Sequence, residues 1–219
     1  MRTRPAIAAI LLGTCLGTCL GTAGAGAAPV HWGPRAGVNV SAFTGESGDL
    51  IRPNSRTFPN LGLVYQVDLA RNLSFRGEAA YSVKGGGSSS EMTDNAGNPI
   101  GTTEDTWRFD YLEIPLLLRT RVPIRSGAVP YLEVGPSFGV ALGGHFESKG
   151  SGLPDQDLKG DMKAMDLGLG GGFGIEIPAG SSSLSVEARY TRGFSDLWKL
   201  DNNLTMVNQA WTFAVSWLH

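Results

Sequence analysis

Cysteine is almost missing. The 219 residues hold two, Cys15 and Cys19, and each follows a threonine, where a lipid-attachment signal would want Gly, Ala or Ser. Long apolar runs are missing as well. After residue 28 nothing approaches 18 consecutive apolar residues, which excludes a helical membrane span. Excess positive charge is absent, with 18 Lys and Arg against 20 Asp and Glu, so there is no electrostatic footprint for nucleic acid. Despite 31 glycines there is no Gly-X-Y period, which excludes collagen. Helical periodicity is scarce along the whole chain.

The N-terminus does carry a signal. In "MRTRPAIAAILLGTCLGTCLGTAGAGAAPVHW", Arg2 and Arg4 form a positive start and Ala6 to Leu20 an apolar stretch. Ala25-Gly26-Ala27 supplies small residues for a peptidase. The expectation is an export signal over residues 1–27, cleaved after Ala27, followed by one domain over 28–219. Both cysteines leave with the signal, so the remaining chain has no disulfide and no thiol chemistry. Losing Arg2 and Arg4 leaves 16 basic and 20 acidic residues, a net charge of −4.

Period-two alternation recurs in the rest. Val38, Val40 and Ala42 alternate with Asn39 and Ser41. Leu61, Leu63, Tyr65, Val67 and Leu69 oppose Gly62, Gln66 and Asp68. Leu73, Phe75, Ala79, Tyr81 and Val83 oppose Ser74, Arg76, Glu78, Ser82 and Lys84. The same holds for 111–120, 131–142, 166–177, 184–191 and 211–217, which makes eight strands. Long polar connections at 44–57, 85–105, 143–160 and 195–206 alternate with short turns near Arg71-Asn72, Pro123–Gly127 and Pro178–Gly180. An even strand count with short turns at one end and long loops at the other is the plan of an outer-membrane barrel. The expected fold is therefore all-β: an eight-stranded antiparallel up-and-down transmembrane β-barrel.

Composition of the two faces separates this from a soluble exported sandwich. In a small membrane barrel the apolar face meets lipid and the other face fills a narrow interior. The polar face here mixes Gly, Ser and Ala with Arg35, Arg76, Glu78, Glu113, Arg119, Glu133, Glu176, Glu187 and Arg189. Those nine suit a crowded lumen where charges pair. Trp32 and Trp217 fall at the short-turn level, and Trp107, Trp198 and Trp211 toward the long loops, as two levels of an aromatic girdle. "DLGLGGGFGIEI" (166–177) fails the G-x-G-x-x-G spacing and has no Gly-Lys-Ser/Thr after it. It reads as a strand with Gly168, Gly170, Gly172 and Gly174 on the interior face, leaving room for large neighbours. Pro115 and Pro136 fall inside strands and predict a bulge or bend at each.

Taken in order, "GPRAGVNVSAF", "FRGEAAYSVKGGG", "FDYLEIPLLLR", "PYLEVGPSFGVAL", "MDLGLGGGFGIEI" and "VEARYTRGFSDL" resemble the PorT-like outer-membrane β-barrel family. The Tyr-Leu-Glu-Ile-Pro run at 111–115 and Gly135-Pro136 are the most specific pieces. The resemblance covers essentially all of residues 28–219 and implies an eight-stranded barrel in a Gram-negative outer membrane. It brings no catalytic motif, and one branch of the family is linked to protein secretion. The ending Trp217-Leu218-His219 departs from the aromatic terminus usual in such strands.

Candidate chemistry is thin. His145, with Glu147, Asp155, Asp157 and Asp161 near it, would need a carboxylate orienting the imidazole and a nucleophile nearby to make an acid–base site, and it reads as a solvated loop histidine. The three aspartates do not match a calcium-loop spacing. The expectation is a monomeric, non-enzymatic barrel without cofactor or metal. Its partners would be outer-membrane lipid and the barrel-assembly machinery, with ligands of the outer loops unidentified. A narrow porin-like channel and an accessory part of a secretion machine are the alternatives.

Overall fold

The computed structural model describes residues 28–45, 54–94, 96–122, 124, 127–150, 154–160, 162–195 and 206–219. The export signal expected over 1–27 lies outside them. Nine strands follow in order: β1 (Val30–Gly45), β2 (Arg56–Ala70), β3 (Leu73–Thr93), β4 (Pro99–Arg121), β5 (Val129–Lys149), β6 (Gln156–Asp157), β7 (Met165–Ala179), β8 (Ser182–Gly193) and β9 (Met206–Leu218). Eight form the wall. Each pairs antiparallel with its neighbours, and β9 pairs with β1 to close the ring. β6 is a two-residue appendage on β5.

The registers fix the size. From Val40 the paired residues run through Trp211, Tyr190, Gly171, Val134, Leu118, Phe75 and Val67 to Val30, ten positions back along β1. For eight strands that stagger demands a tilt of about 40° and a backbone radius of about 8 Å. Such a barrel holds side chains and little else.

The faces are inverted relative to a soluble protein. Leu63 is 60% exposed and Phe173 56%, whereas Arg76 and Arg119 have no exposed surface. Leu132, Val134, Val140 and Leu142 on β5 belong to the same outward set, and that span is about 25 Å tall at this tilt. With no water inside lipid, every backbone group must find a partner in the ladder, and closure is what provides it.

Three strands outrun the wall. β3, β4 and β5 have 21, 23 and 21 residues. The outward apolar series stops at Tyr81 and Leu112: Val83 on β3, expected in that series, is fully buried, Asp110 on β4 is buried too, and Arg108 beyond it is exposed. Residues 85–105, expected as a loop, are thus mostly ladder, paired from Gly85↔Arg108 to Thr93↔Pro99. Residues 143–149 likewise continue β5. The projection beyond the apolar belt is on the order of 30 Å along the strands. Asp94 closes its tip, accepting from the backbone N–H of Ala96 and Asn98 at 2.8 Å each, with Gly97 at φ 82°.

The prolines correct one half of the expectation, the bulge. No register shift occurs at Pro115 or Pro136. Instead the ladder opens locally, between Gly77↔Leu116 and Ala80↔Glu113 on one side of β4. On the other side it opens between Pro115↔Ser137 and Leu118↔Val134. The missing N–H removes pairs without inserting a residue. The β4–β5 shift falls at Asp110/Tyr111.

A wider opening separates β2 from β3. Pairing ends at Asn60↔Ser82 and resumes as the single bridge Asn54↔Gly87, with Pro59 at the break. There β3 leans inward. The Asn39 amide donates to Val83 O at 2.8 Å, and Ser41 Oγ both donates to Gly85 O and accepts from Gly85 N. Glycine is required at 86, where a Cβ would lie 2.9 Å from the Phe43 ring.

Candidate functional site

Among the described residues, buried polar side chains concentrate in the lumen. Arg35 on β1, Arg76 and Glu78 on β3, Arg119 on β4, Glu133 on β5, and Glu187 and Arg189 on β8 meet at its centre, all 0–4% exposed. Alternation makes this possible, because each strand sends every second side chain inward.

Arg189 is the hub. It donates to Glu78 at 2.7 and 2.9 Å, to Glu133 at 3.0 Å and to Glu187 at 2.5 Å. Arg76 donates to Glu78 at 2.6 Å, Glu187 at 3.0 Å and Ser216 at 3.1 Å. Arg35 reaches Glu187 at 2.6 Å and also bonds Asn60. Arg119 grips one Glu133 oxygen with two nitrogens, at 2.8 and 3.1 Å, and stacks 3.6 Å from the Tyr131 ring centre. Buried ions survive when their charges pair and their hydrogen bonds are made.

The other two predicted members sit apart. Glu176 lies toward the short-turn end, bonded to Arg121 at 3.4 Å and 3.7 Å from Arg119. Arg121 continues to Asp68 at 3.0 Å. Glu113 forms its own pair higher in the barrel, accepting from Lys84 at 3.0 Å and Ser137 at 2.8 Å. Sequence reasoning placed Lys84 and Asp68 on the inward face without giving either a role, and Arg121 and Tyr131 went unnoticed. Only the register shows which inward acid faces which base. Above Glu113, Asn208 bridges Tyr111 and Asp166.

The outer mouth is apolar. Phe43, Phe109, Tyr111 and Met162 are buried together, with Trp107, Ala141 and Leu158 against them. Trp107 is therefore no girdle residue: it shares the inward parity of Phe109 and Tyr111 and packs on this cap, 5.3 Å from Phe146. Trp32, Trp211 and Trp217 are exposed on the outward face, the first and last at the short-turn end. Trp198 lies outside the described residues. Trp217 Nε1 donates to His219 Nε2 at 3.1 Å, and His219 Nδ1 meets Ser182 Oγ at 2.8 Å, so the terminal residue is tied to the short-turn rim.

His145 stands on β5, paired with Arg108 and with Asp157 of β6; Asp161 lies outside the described residues. Among the described residues no three His, Cys, Asp or Glu side chains are placed to hold a metal ion. The lumen arrangement can brace a wall and exclude water.

Residues 23–199 match the outer membrane protein beta-barrel domain family. Among solved structures, the chain is similar to Neisserial surface protein A at 11% identity, covering 86% of this chain and 97% of that one with a TM-score of 0.47. It is also similar to outer membrane protein W of E. coli (17%, 88% and 97%, 0.43) and to OprG of Pseudomonas aeruginosa (14%, 86% and 92%, 0.43). No curated protein sequence matches it.

Proposed function

The chain belongs to the outer membrane protein beta-barrel domain family, and on that premise we propose that it is a non-enzymatic, monomeric, non-conducting barrel. Its lumen is a structural core, and its working surface is the β3–β5 projection. The long-loop end faces outward and the short turns face the periplasm, as in barrels of this plan. An N-terminal signal over 1–27 delivers it, and outer-membrane lipid and the assembly machinery are its obligate partners. The PorT-like branch is the proposed place within the family, carried by the 111–115 run and Gly135-Pro136.

The buried Arg–Glu cluster is the observation that carries this reading. Four guanidiniums and three carboxylates bond directly to one another, and a conducting lumen would need those groups hydrated. Loops and projections carry specific binding while a rigid wall positions them.

Conductance of the refolded 28–219 chain in planar bilayers tests it. A silent membrane with folded protein present is the expected result. Stepwise single-channel currents would replace this reading with a narrow channel. Deleting residues 88–105 should leave the barrel folded, since that segment lies beyond the belt.

A further inference from the structure

Arg192 on β8 is a cation on the lipid side of the wall. It shares the outward parity of Leu184, Val186 and Tyr190 and is exposed. Its partners across the ladder are Leu169 on β7 and Gln209 on β9. At the tilt of this wall each residue climbs about 2.5 Å, and each step from β1 through β9 towards β5 descends about 3 Å. Arg192 therefore stands within about 1 Å of the level of Leu112, where the apolar series ends on β4. On its own side of the barrel the series goes on. Phe194, Met165 and Leu142 are all exposed and stand about 5–9 Å above it.

No described acid answers this charge. Arg192 makes no ion pair and no side-chain hydrogen bond among the described residues. The acids of β7 and β8 are Asp166, Glu176 and Glu187, and all three turn inward, to Asn208, Arg121 and Arg189. β9 carries none. Two other arginines at the same end are answered: Arg108 by Asp110 at 3.0 Å and Arg56 by Glu104 at 3.6 Å. A guanidinium set among lipid-facing side chains is costly without a counter-charge. The described protein supplies none to Arg192, and the membrane is what it faces.

A groove adjoins it. Val40, Ala42, Ser55, Tyr190, Gln209 and Trp211 line a cleft of about 270 Å³ on the outward face. Trp211 pairs with Val40 and Tyr190, while the small Ala42 pairs with Gln209 two residues higher, so a trough opens above the Trp211 ring. Tyr190 donates to Gln209 Oε1 at 3.0 Å, which leaves the Gln209 amide nitrogen as a donor. That residue and Arg192 are directly opposed, with Cβ atoms roughly 5 Å apart. We propose that this place binds one membrane lipid with a net anionic phosphate headgroup. The Arg192 guanidinium and the Gln209 amide hold the phosphate, and the trough beside Trp211 takes an acyl chain. Gln209 belongs to both halves, which fixes the phosphate at the head of the trough. The 28–219 chain carries a net charge of −4, so the barrel as a whole repels anionic lipid and a preference for it is local.

The test uses the 28–219 barrel refolded in an uncharged detergent, titrated with dioleoylphosphatidylglycerol, with dioleoylphosphatidylcholine or with inorganic phosphate. Phosphatidylglycerol should raise the melting temperature and follow single-site saturation, because a ligand that binds only the folded state stabilises it by mass action. Native mass spectrometry should show one such lipid retained per barrel. Phosphatidylcholine, whose choline offsets the phosphate, should bind more weakly, and inorganic phosphate should have no effect. Arg192→Gln should weaken the phosphatidylglycerol saturation by about tenfold or more, the worth of a charge-assisted hydrogen bond, and Arg192→Lys should restore most of it. Ala42→Phe fills the trough and should weaken it independently. Equal saturation by the two lipids overturns the proposal, as does a preference that Arg192→Gln keeps. A rise that inorganic phosphate reproduces alone means a free-anion site and overturns it too. The proposal rests on the outward face meeting lipid. A chain soluble without detergent would defeat that reading, whereas a folded barrel in detergent that ignores headgroup charge defeats the lipid site alone.

Discussion

Arg189→Ala separates two views of the lumen. Counting charges alone, the central cluster goes from four arginines against three glutamates to three against three, and the variant should be no less stable. Geometry says the opposite. Without Arg189, Glu133 Oε1 loses its hydrogen bond and Glu78 Oε2 keeps only Arg35 Nε at 3.5 Å. Glu78 Oε1 retains Arg76 and Glu187 Oε1 retains Arg35. Two buried carboxylate oxygens are stranded, each at roughly 1–3 kcal/mol or more, in line with about 3–5 kcal/mol for breaking a buried ion pair. With a urea slope near 2 kcal/mol/M, the unfolding midpoint in lipid vesicles should fall by about 2 M. The assay is urea titration read by the faster-migrating folded band on unboiled gels. An unchanged midpoint would refute the pairing argument. A rise in conductance at unchanged stability would mean the cluster is a hydrated gate.

Lys84→Met should destabilise by a similar amount by stranding Glu113, while Lys84→Met with Glu113→Leu should recover most of the loss; urea midpoints of the cycle check both. In the glycine strand, Gly174→Ala drives a methyl into Tyr131 and the Val186 carbonyl. That should cost roughly 1–3 kcal/mol by overpacking. Gly171→Ala, with its nearest neighbour 3.9 Å away, should be neutral in the same titration. The fully exposed Asp94 has its carboxyl held below the ordinary aspartate range by the Asn98 side chain, helped by the turn's backbone N–H groups. Its contribution to the hairpin tip is therefore present above the ordinary aspartate pKa and lost as pH falls through the depressed one, which the Gly97 amide resonance should report. Asp94→Ala should fray the tip at neutral pH without moving the urea midpoint.

Inside the belt the sequence was readable because lipid and lumen impose opposite demands on alternate residues. Leu61 to Leu69 and Leu184 to Tyr190 could be assigned to faces without coordinates. The glycines of 168–174 were also legible, since Tyr131 and Arg189 do press on that face. Above the belt both faces of a strand meet polar surroundings, the alternation vanishes, and Ser88–Glu91 against Thr102–Asp105 looks like loop. The lumen charges were legible as a class and not as pairs. Lys84–Glu113 and Asp68–Arg121–Glu176 depend on a stagger of ten residues around the ring, to which no short stretch of sequence refers. Trp107 misled because its level was right and its parity, set by Phe109 and Tyr111, was not used. The prolines misled because a lost donor was equated with an extra residue.

Inversion of the faces is tested most directly on β9, where the inward positions are small. The 28–219 chain has no cysteine of its own, so single cysteines can be placed at Thr212, Phe213, Ala214, Val215 and Ser216 and the barrels refolded into lipid vesicles. A maleimide that partitions into the bilayer should label positions 213 and 215 and spare 212, 214 and 216. Labelling at 212, 214 and 216 instead, or labelling of 213 and 215 blocked in a chain that stays soluble without lipid, would show that the apolar faces pack on each other and that the barrel does not span a membrane.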